Sequence, residues 1–270
     1  MSHPKKTLEA LGANALRAFS QNFLTSPHWA DKLTQPVLTA DVKAIWEIGP
    51  GLGALTEKLI ANSKVPLRVY KIDRKLAANL RDVFPNLDLV EGDFLKTGPT
   101  QLPPEVVPLG LVSNLPYHIS SAILFHLVEW GTDLKVAVLT FQREFAERLK
   151  AKVGDDSYAG LSVSAQYHFK MESLGILPKG AFYPEPSIDS EALVLTPKPV
   201  DKETGARFRQ LVRLAFTRPR RKLGGNLREG FQTVFLEKAY EISGIDPNRR
   251  PETLSLAEFE KLFAALPVKA

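Results

Sequence analysis

The chain has 270 residues, 44% of them apolar and 24% charged, with no cysteine and a formal net charge of +5. That length and mix sustain a hydrophobic core without covalent staples and suggest one medium domain plus a smaller one. The missing cysteine excludes disulfides and thiolate metal sites. No apolar run reaches the length of a membrane span, and the opening MSHPKKTLEA lacks the apolar core of a secretory leader, so a cytoplasmic location without membrane contact is expected.

The first half alternates two kinds of stretch. VKAIWEIG (42–49) is a short apolar run closed by glycine and reads as a buried strand. Leu55, Leu59 and Ile60 have helical spacing within 53–62, a second strand follows in 66–73, and a helix in 74–84 is stopped by Pro85. Strands at 87–93 and 108–116 lead to a helix at 120–130 with Ser120 as expected N-cap, then a strand at 135–141 and a helix at 142–151. This order predicts an α/β fold, a Rossmann-like, mostly parallel sheet with helices on both faces. Segments 162–177 and 190–197 read as two more strands of that sheet, separated by a Pro-rich turn. After Pro197 and Pro199 the pattern becomes helical, which predicts a domain over 1–200 and a small all-helical domain over 201–270.

Charge is unevenly spread. Between Gly205 and Arg228 lie Arg207, Arg209, Arg213, Arg218, Arg220, Arg221, Lys222 and Arg228, with no acid. A segment of one sign points to a polyanion, whose condensed counterions are released on binding. Arg218, Arg220, Arg221 and Lys222 are the expected phosphate contacts. The five histidines show no ligand spacing, so no metal is expected.

Four strand ends carry the chemistry. The first is Glu47-Ile48-Gly49-Pro50-Gly51-Leu52-Gly53, between a strand and a helix, where glycines permit a tight turn and close approach of a ligand to helix N–H groups. Ala54 also allows the dinucleotide pattern G-x-G-x-x-A, so the loop by itself fits NAD as well as S-adenosylmethionine. The second is Ile72-Asp73: Ile72 suits an apolar wall for an adenine, and Asp73 suits either a ribose hydroxyl or a helix cap. The third is Asp93 in EGDF (91–94), an acceptor for a cofactor amine or a turn acid. The fourth, Asn114-Leu115-Pro116-Tyr117, is the most specific. The lone pair of an exocyclic adenine amine is delocalised into the ring. Two acceptors holding its N–H bonds, the Asn114 side-chain oxygen and the Leu115 carbonyl, favour a pyramidal nitrogen and return the lone pair to it. Pro116 stiffens the loop and Tyr117 can stack on the base. Catalysis of this kind is alignment and electrostatics, with no strong base at the attack step.

Taken together, these motifs resemble the KsgA family of rRNA adenine N6,N6-dimethyltransferases, from about Ala18 to Leu227. Ser20-Gln21-Asn22-Phe23-Leu24 is similar to the family's N-terminal cofactor segment, EIGPGLG (47–53) to its glycine loop, EGDF to its adenine-binding acid and NLPY (114–117) to its catalytic loop. FQREFAERL (141–149), YAGLSVSAQY (158–167) and AFYPEPSIDSEALVL (181–195) are also family-like, the last placing Phe182 as the residue that stacks the target base. The resemblance implies S-adenosylmethionine held by Gln21, Asn22, Leu24, Gly49, Gly51, Ile72, Asp93 and Asn114. It also implies a monomer acting on two adjacent adenines of small-subunit rRNA in a pre-assembled subunit. Two positions depart from the pattern: Lys71 stands where the family usually has Glu for the cofactor ribose, and Ala159-Gly160 where bacterial members often have Gly-Arg. Three alternatives stay open: a large-subunit enzyme of the resistance type, an assembly factor with weak catalysis, and an NAD enzyme.

Overall fold

The computed structural model describes residues 22–218 and 220–267. Strand β1 (Phe23–Leu24) is followed by helix α1 (Pro27–Thr39), which starts where Ser26 accepts from the Trp29 N–H and Pro27 supplies a preset first turn. Then come β2 (Ala44–Ile48), α2 (Ala54–Asn62), β3 (Leu67–Lys71), α3 (Arg74–Val83), β4 (Asp88–Glu91), α4 (Phe94–Thr97) and β5 (Leu109–Asn114). They are followed by α5 (Ser120–Trp130), β6 (Leu134–Gln142), α6 (Arg143–Lys150), α7 (Gly160–His168), β7 (Phe169–Leu177), β8 (Phe182–Tyr183) and β9 (Ser190–Pro197). The chain ends in α8 (Lys202–Ala215), α9 (Leu223–Leu227), α10 (Thr233–Ser243) and α11 (Leu256–Ala265).

Seven strands form one sheet in the order β4-β3-β2-β5-β6-β9-β7. The pairs from β4 to β6 are parallel, and β9 joins β6 antiparallel. Every residue of β2, Ala-Ile-Trp-Glu-Ile, is buried, as a central parallel strand covered on both faces requires. The chain runs outward from β2 through β3 to β4, then returns to β5 on the other side. The strand order therefore reverses between β2 and β5, and a crevice opens at their carboxyl ends. A separate two-stranded sheet pairs Phe23 with Tyr183 and Leu24 with Phe182.

Two compact units result. One contains the chain up to Ala146 together with Lys170–Pro197, and the other Glu147–Phe169 with the chain from Lys198. The expected division at residue 200 needs correction, because 147–169 leaves the sheet unit. The stretch 162–177, expected as one strand, is helix α7 followed by strand β7. Its alternating Ser-Val-Ser-Ala pattern mimics a strand, but Ser162 Oγ caps the helix by accepting from the Ala159 N–H. Val163 enters a core with Tyr158, Phe208, Leu211, Leu236 and Phe259, and Tyr167 stacks on Phe208 at 3.6 Å between ring centroids. Tertiary burial decides the conformation there, over local pattern. A Cβ on Gly160 would lie 3.2 Å from the Phe216 ring. Ser120 is not the cap of α5. The helix is preceded by a 3₁₀ turn at Tyr117–Ile119, and Ile119 occupies the cap position without a side-chain bond.

Among the described residues, no helix is long and apolar enough to cross a membrane, and no cluster of metal-ligating side chains is present.

Candidate active site

The carboxyl ends of β2 and β5 open into a cleft enclosing about 600 Å³, part of it open to solvent, a size suited to a nucleoside-bearing cofactor. Its walls include Asn22, Leu24, Glu47, Gly49, Gly51, Lys71 and the whole run Asn114-Leu115-Pro116-Tyr117. The sheet thus brings together residues far apart in sequence because they end adjacent strands.

Two glycines shape the floor. Gly49 and Gly51 have φ of +68° and +60°, a left-handed backbone that L side chains disfavour. A Cβ on Gly49 would project toward Pro116 with no atom nearer than 4.0 Å, so the space above it belongs to the cleft. A Cβ on Gly51 would press to 3.1 Å from the Phe23 ring.

Glu47 and Lys71 give the cleft its electrostatic character. Glu47 is buried, and its Oε2 accepts from Thr56 Oγ1 at 2.7 Å. Its Oε1 has no hydrogen-bond partner among the described residues. Burial pushes the Glu47 carboxyl up to about 8, against the Thr56 bond and the Lys71 charge. Burial likewise pulls Lys71 down to about 8, opposed by the charges of Asp73 and Glu47. A buried acceptor without a donor is costly unless a ligand supplies one. The orphaned oxygen and the glycine floor therefore fit a cofactor that carries an amine.

The Asn114-Leu115-Pro116-Tyr117 loop is held firmly. Asn114 Nδ2 donates to the Asn22 carbonyl at 3.1 Å, and Thr140 Oγ1 donates to Asn114 Oδ1 at 2.7 Å. The Tyr117 hydroxyl lies 2.7 Å from Ser190 Oγ, and burial raises its pKa. Leu115 is buried, while Pro116 and Tyr117 are half-buried along the cleft.

Other expected site residues lie elsewhere. Asp73 caps α3, accepting from the Leu76 N–H at 2.9 Å, and Asp93 caps α4, accepting from the Leu95 N–H at 3.1 Å. Ile72 is exposed. Neither Ile72 nor Asp93 lines the cleft, although both sit at carboxyl ends of the same sheet. Phe182 is only 3% exposed and packs in an apolar cluster with Leu24, Leu33 and Val112, so its ring is core in this conformation. Gln21 falls outside the described residues. Sequence reasoning missed Thr140 and Ser190. Their only signal is their register, Thr140 opposite Asn114 and Ser190 opposite Gln142.

In the helical unit the basic run forms the turn between α8 and α9. Asn226 Nδ2 donates to the Ala215 carbonyl at 2.6 Å and to the Arg218 carbonyl at 3.3 Å, bracing that turn. Arg218 and Arg221 both pair with Glu229, the first acid beyond the run, and Lys222 donates to Asn248 Oδ1 at 3.1 Å. Arg220 is exposed, with a left-handed backbone φ of +74°.

The chain matches the ribosomal RNA adenine dimethylase family over residues 12–267. It is 38% identical to the ribosomal RNA small subunit methyltransferase A of Acinetobacter baylyi, covering 93% of this chain and 92% of that protein. The Hahella chejuensis protein of the same name is 36% identical, with 94% and 93% covered. Among solved structures, a dimethyladenosine transferase from Plasmodium falciparum superposes with a TM-score of 0.70 at 27% identity, covering 89% of this chain and 95% of that one. The 23S rRNA methyltransferase ErmE does so at 0.68 and 26%, covering 91% and 99%. With its glycine-floored cleft and its Asn-Leu-Pro-Tyr loop, the chain belongs to the ribosomal RNA adenine dimethylase family.

Proposed function

We propose that the protein dimethylates N6 of two adjacent adenines in small-subunit ribosomal RNA during ribosome assembly, acting as a cytoplasmic monomer on a pre-assembled subunit. The observation that carries this reading is the Asn114 amide at the mouth of the cleft, its nitrogen committed to Asn22 and its oxygen holding one bond from Thr140. A carbonyl oxygen has two lone pairs, so Asn114 Oδ1 keeps one for an adenine N–H. The Leu115 carbonyl is the second acceptor, and together they concentrate the lone pair on N6. S-adenosylmethionine, when bound, supplies an electrophilic methyl group. Gly49, Gly51, Asn22 and Leu24 form its bed, and Glu47 Oε1 offers an acceptor for its amine. Ile72 and Asp93 lie at neighbouring strand ends, suited to its adenine. After transfer the amine sheds its proton to solvent and returns as acceptor for the second methyl group.

Tyr117 provides the face against which the extruded base stacks, since a base must leave its stack to reach such a cleft. The burial of Phe182 does not support a stacking role for it in this conformation. The basic turn, with Arg218, Arg220, Arg221 and Lys222, grips phosphates. Identity of 36–38% to small-subunit methyltransferases over more than 90% of the chain supports the small subunit as target. Unmodified small and large subunits offered separately with labelled S-adenosylmethionine test this. Label in adenine of the small subunit is expected, and label confined to the large subunit would overturn it.

A further inference from the structure

We infer that Thr140 is a positioning residue for methyl transfer: its hydroxyl anchors the rotation of the Asn114 amide, whose sense, Oδ1 rather than Nδ2 toward the target amine, is set by the Asn22 carbonyl. The inference rests on the proposed adenine methylation. It starts from a property of asparagine, whose two amide ends are alike in shape and opposite in hydrogen-bonding sense. A half-turn about the last side-chain bond would put an NH₂ where an acceptor must be. Two donors would then face each other across the reacting nitrogen, and catalysis would stop without any change in shape.

The Asn22 carbonyl opposes that half-turn, and Thr140 pins the other end of the amide. The Asn22 carbonyl only accepts, and it takes the Nδ2 proton at 3.1 Å. Thr140, itself fully buried, donates from Oγ1 to Oδ1 at 2.7 Å. A flipped amide would set its oxygen against the Asn22 oxygen. Thr140 can hold this position because it stands opposite Asn114 in the parallel β5–β6 register and opposite Ala192 on β9, fixed on both sides by backbone ladders. Tyr117 is treated in the same way. Its hydroxyl meets the fully buried Ser190 Oγ at 2.7 Å, and Ser190 lies on β9 opposite Gln142, two residues beyond Thr140 on β6. Two hydroxyls from the strands behind the loop thus set the rotation of both functional side chains. Asn22 also ties the catalytic amide to the chain segment that walls the cofactor cleft.

The test compares Thr140→Val, which keeps the shape and loses the donor, with Thr140→Ser, which keeps the donor. Three quantities are read: single-turnover methyl transfer to small subunits, equilibrium dissociation constants for S-adenosylmethionine and for the subunit, and the Asn114 side-chain amide signal in ¹⁵N-labelled free protein, assigned by its loss in Asn114→Ala. The expected result is a transfer rate lowered about tenfold or more in T140V, as misalignment of a reacting group produces. Both dissociation constants stay within about twofold, well short of a tenfold step in affinity. The Asn114 signal shifts or broadens in T140V, and T140S recovers most of the rate. The inference is overturned by a wild-type rate in T140V, by a T140S as slow as T140V, or by loss of cofactor or subunit binding in step with the rate. A wild-type protein that methylates no adenine would overturn the functional reading, and this inference with it. An active wild type with an indifferent T140V overturns the inference alone.

Discussion

Glu47 and Lys71 enter one cleft from adjacent parallel strands, 1% and 4% exposed, each shifted by burial toward its neutral form. Glu47 Oε1 has no hydrogen-bond partner among the described residues, and the charge of Lys71 opposes the effect of burial on the carboxyl. Lys71, where the family resemblance implies a carboxylate for the ribose, is a donor in that wall and not an acceptor.

The raised Glu47 pKa has a consequence for stability. A carboxyl raised from 4.5 to about 8 contributes stability that is complete below pH 4.5 and lost as pH climbs through 8. Relative to Glu47→Gln, the unliganded wild type is expected to lose stability across that window, with a slope of at most about 1.4 kcal/mol per pH unit. Urea unfolding of both proteins at intervals from pH 5 to pH 8 measures the difference. Parallel profiles would show that the carboxyl is not held neutral.

His168 gives the helical unit the opposite dependence. Burial first, then the cations of Arg209 and Lys198, pull it from 6.5 down to about 4, and Arg209 Nη1 already bonds its Nε2 at 3.1 Å. A depressed pKa contributes stability present above pH 6.5 and lost as pH falls through 4. His168→Gln is expected to flatten this acid-side loss. Acid unfolding followed by hydrogen exchange in α7 and α8 reads it out.

A side chain at Gly51 is expected to impair cofactor binding more than folding. Alanine there must hold φ near +60° and place its methyl 3.1 Å from the Phe23 ring. The left-handed penalty is roughly 1–2 kcal/mol. Gly51→Ala should remain folded, because the cost is modest, yet bind S-adenosylmethionine about tenfold more weakly, as calorimetry would show.

The basic turn makes a salt-dependent prediction. Neutralising Arg220, Arg221 and Lys222 together should weaken RNA binding and lower the slope of log affinity against log salt by about 0.7–0.9 for each phosphate no longer neutralised. Glu229→Gln should act in reverse, because it releases Arg218 and Arg221 from their shared acid. Filter binding over a range of salt concentrations distinguishes the two. An unchanged slope in the triple variant would make the turn a solvated face.

How much of this was legible in the sequence depended on whether the cause was local. The buried strand β2, the glycine turn after it and the helix α2 follow from hydrophobic runs and glycine chemistry within a dozen residues. The cap role of Asp73 was legible too, as one of two readings the strand end allows. Helix α7 was not, because Val163 and Tyr167 choose helix through contacts with Phe208, some forty residues on. The Asn-Leu-Pro-Tyr loop announced itself. The Thr140 and Ser190 hydroxyls behind it did not, since they reach the loop only through strand register. The acid partner of the basic turn was hidden for a simpler reason, lying one residue beyond the run's last arginine.

The most direct measurement is nucleoside analysis of small-subunit rRNA after incubation with S-adenosylmethionine and either the wild-type protein or Asn114→Ala. The wild type is expected to yield N6,N6-dimethyladenosine at adjacent positions, and Asn114→Ala no methylated adenine even though that variant still binds the subunit. Equal dimethyladenosine from both proteins would contradict it.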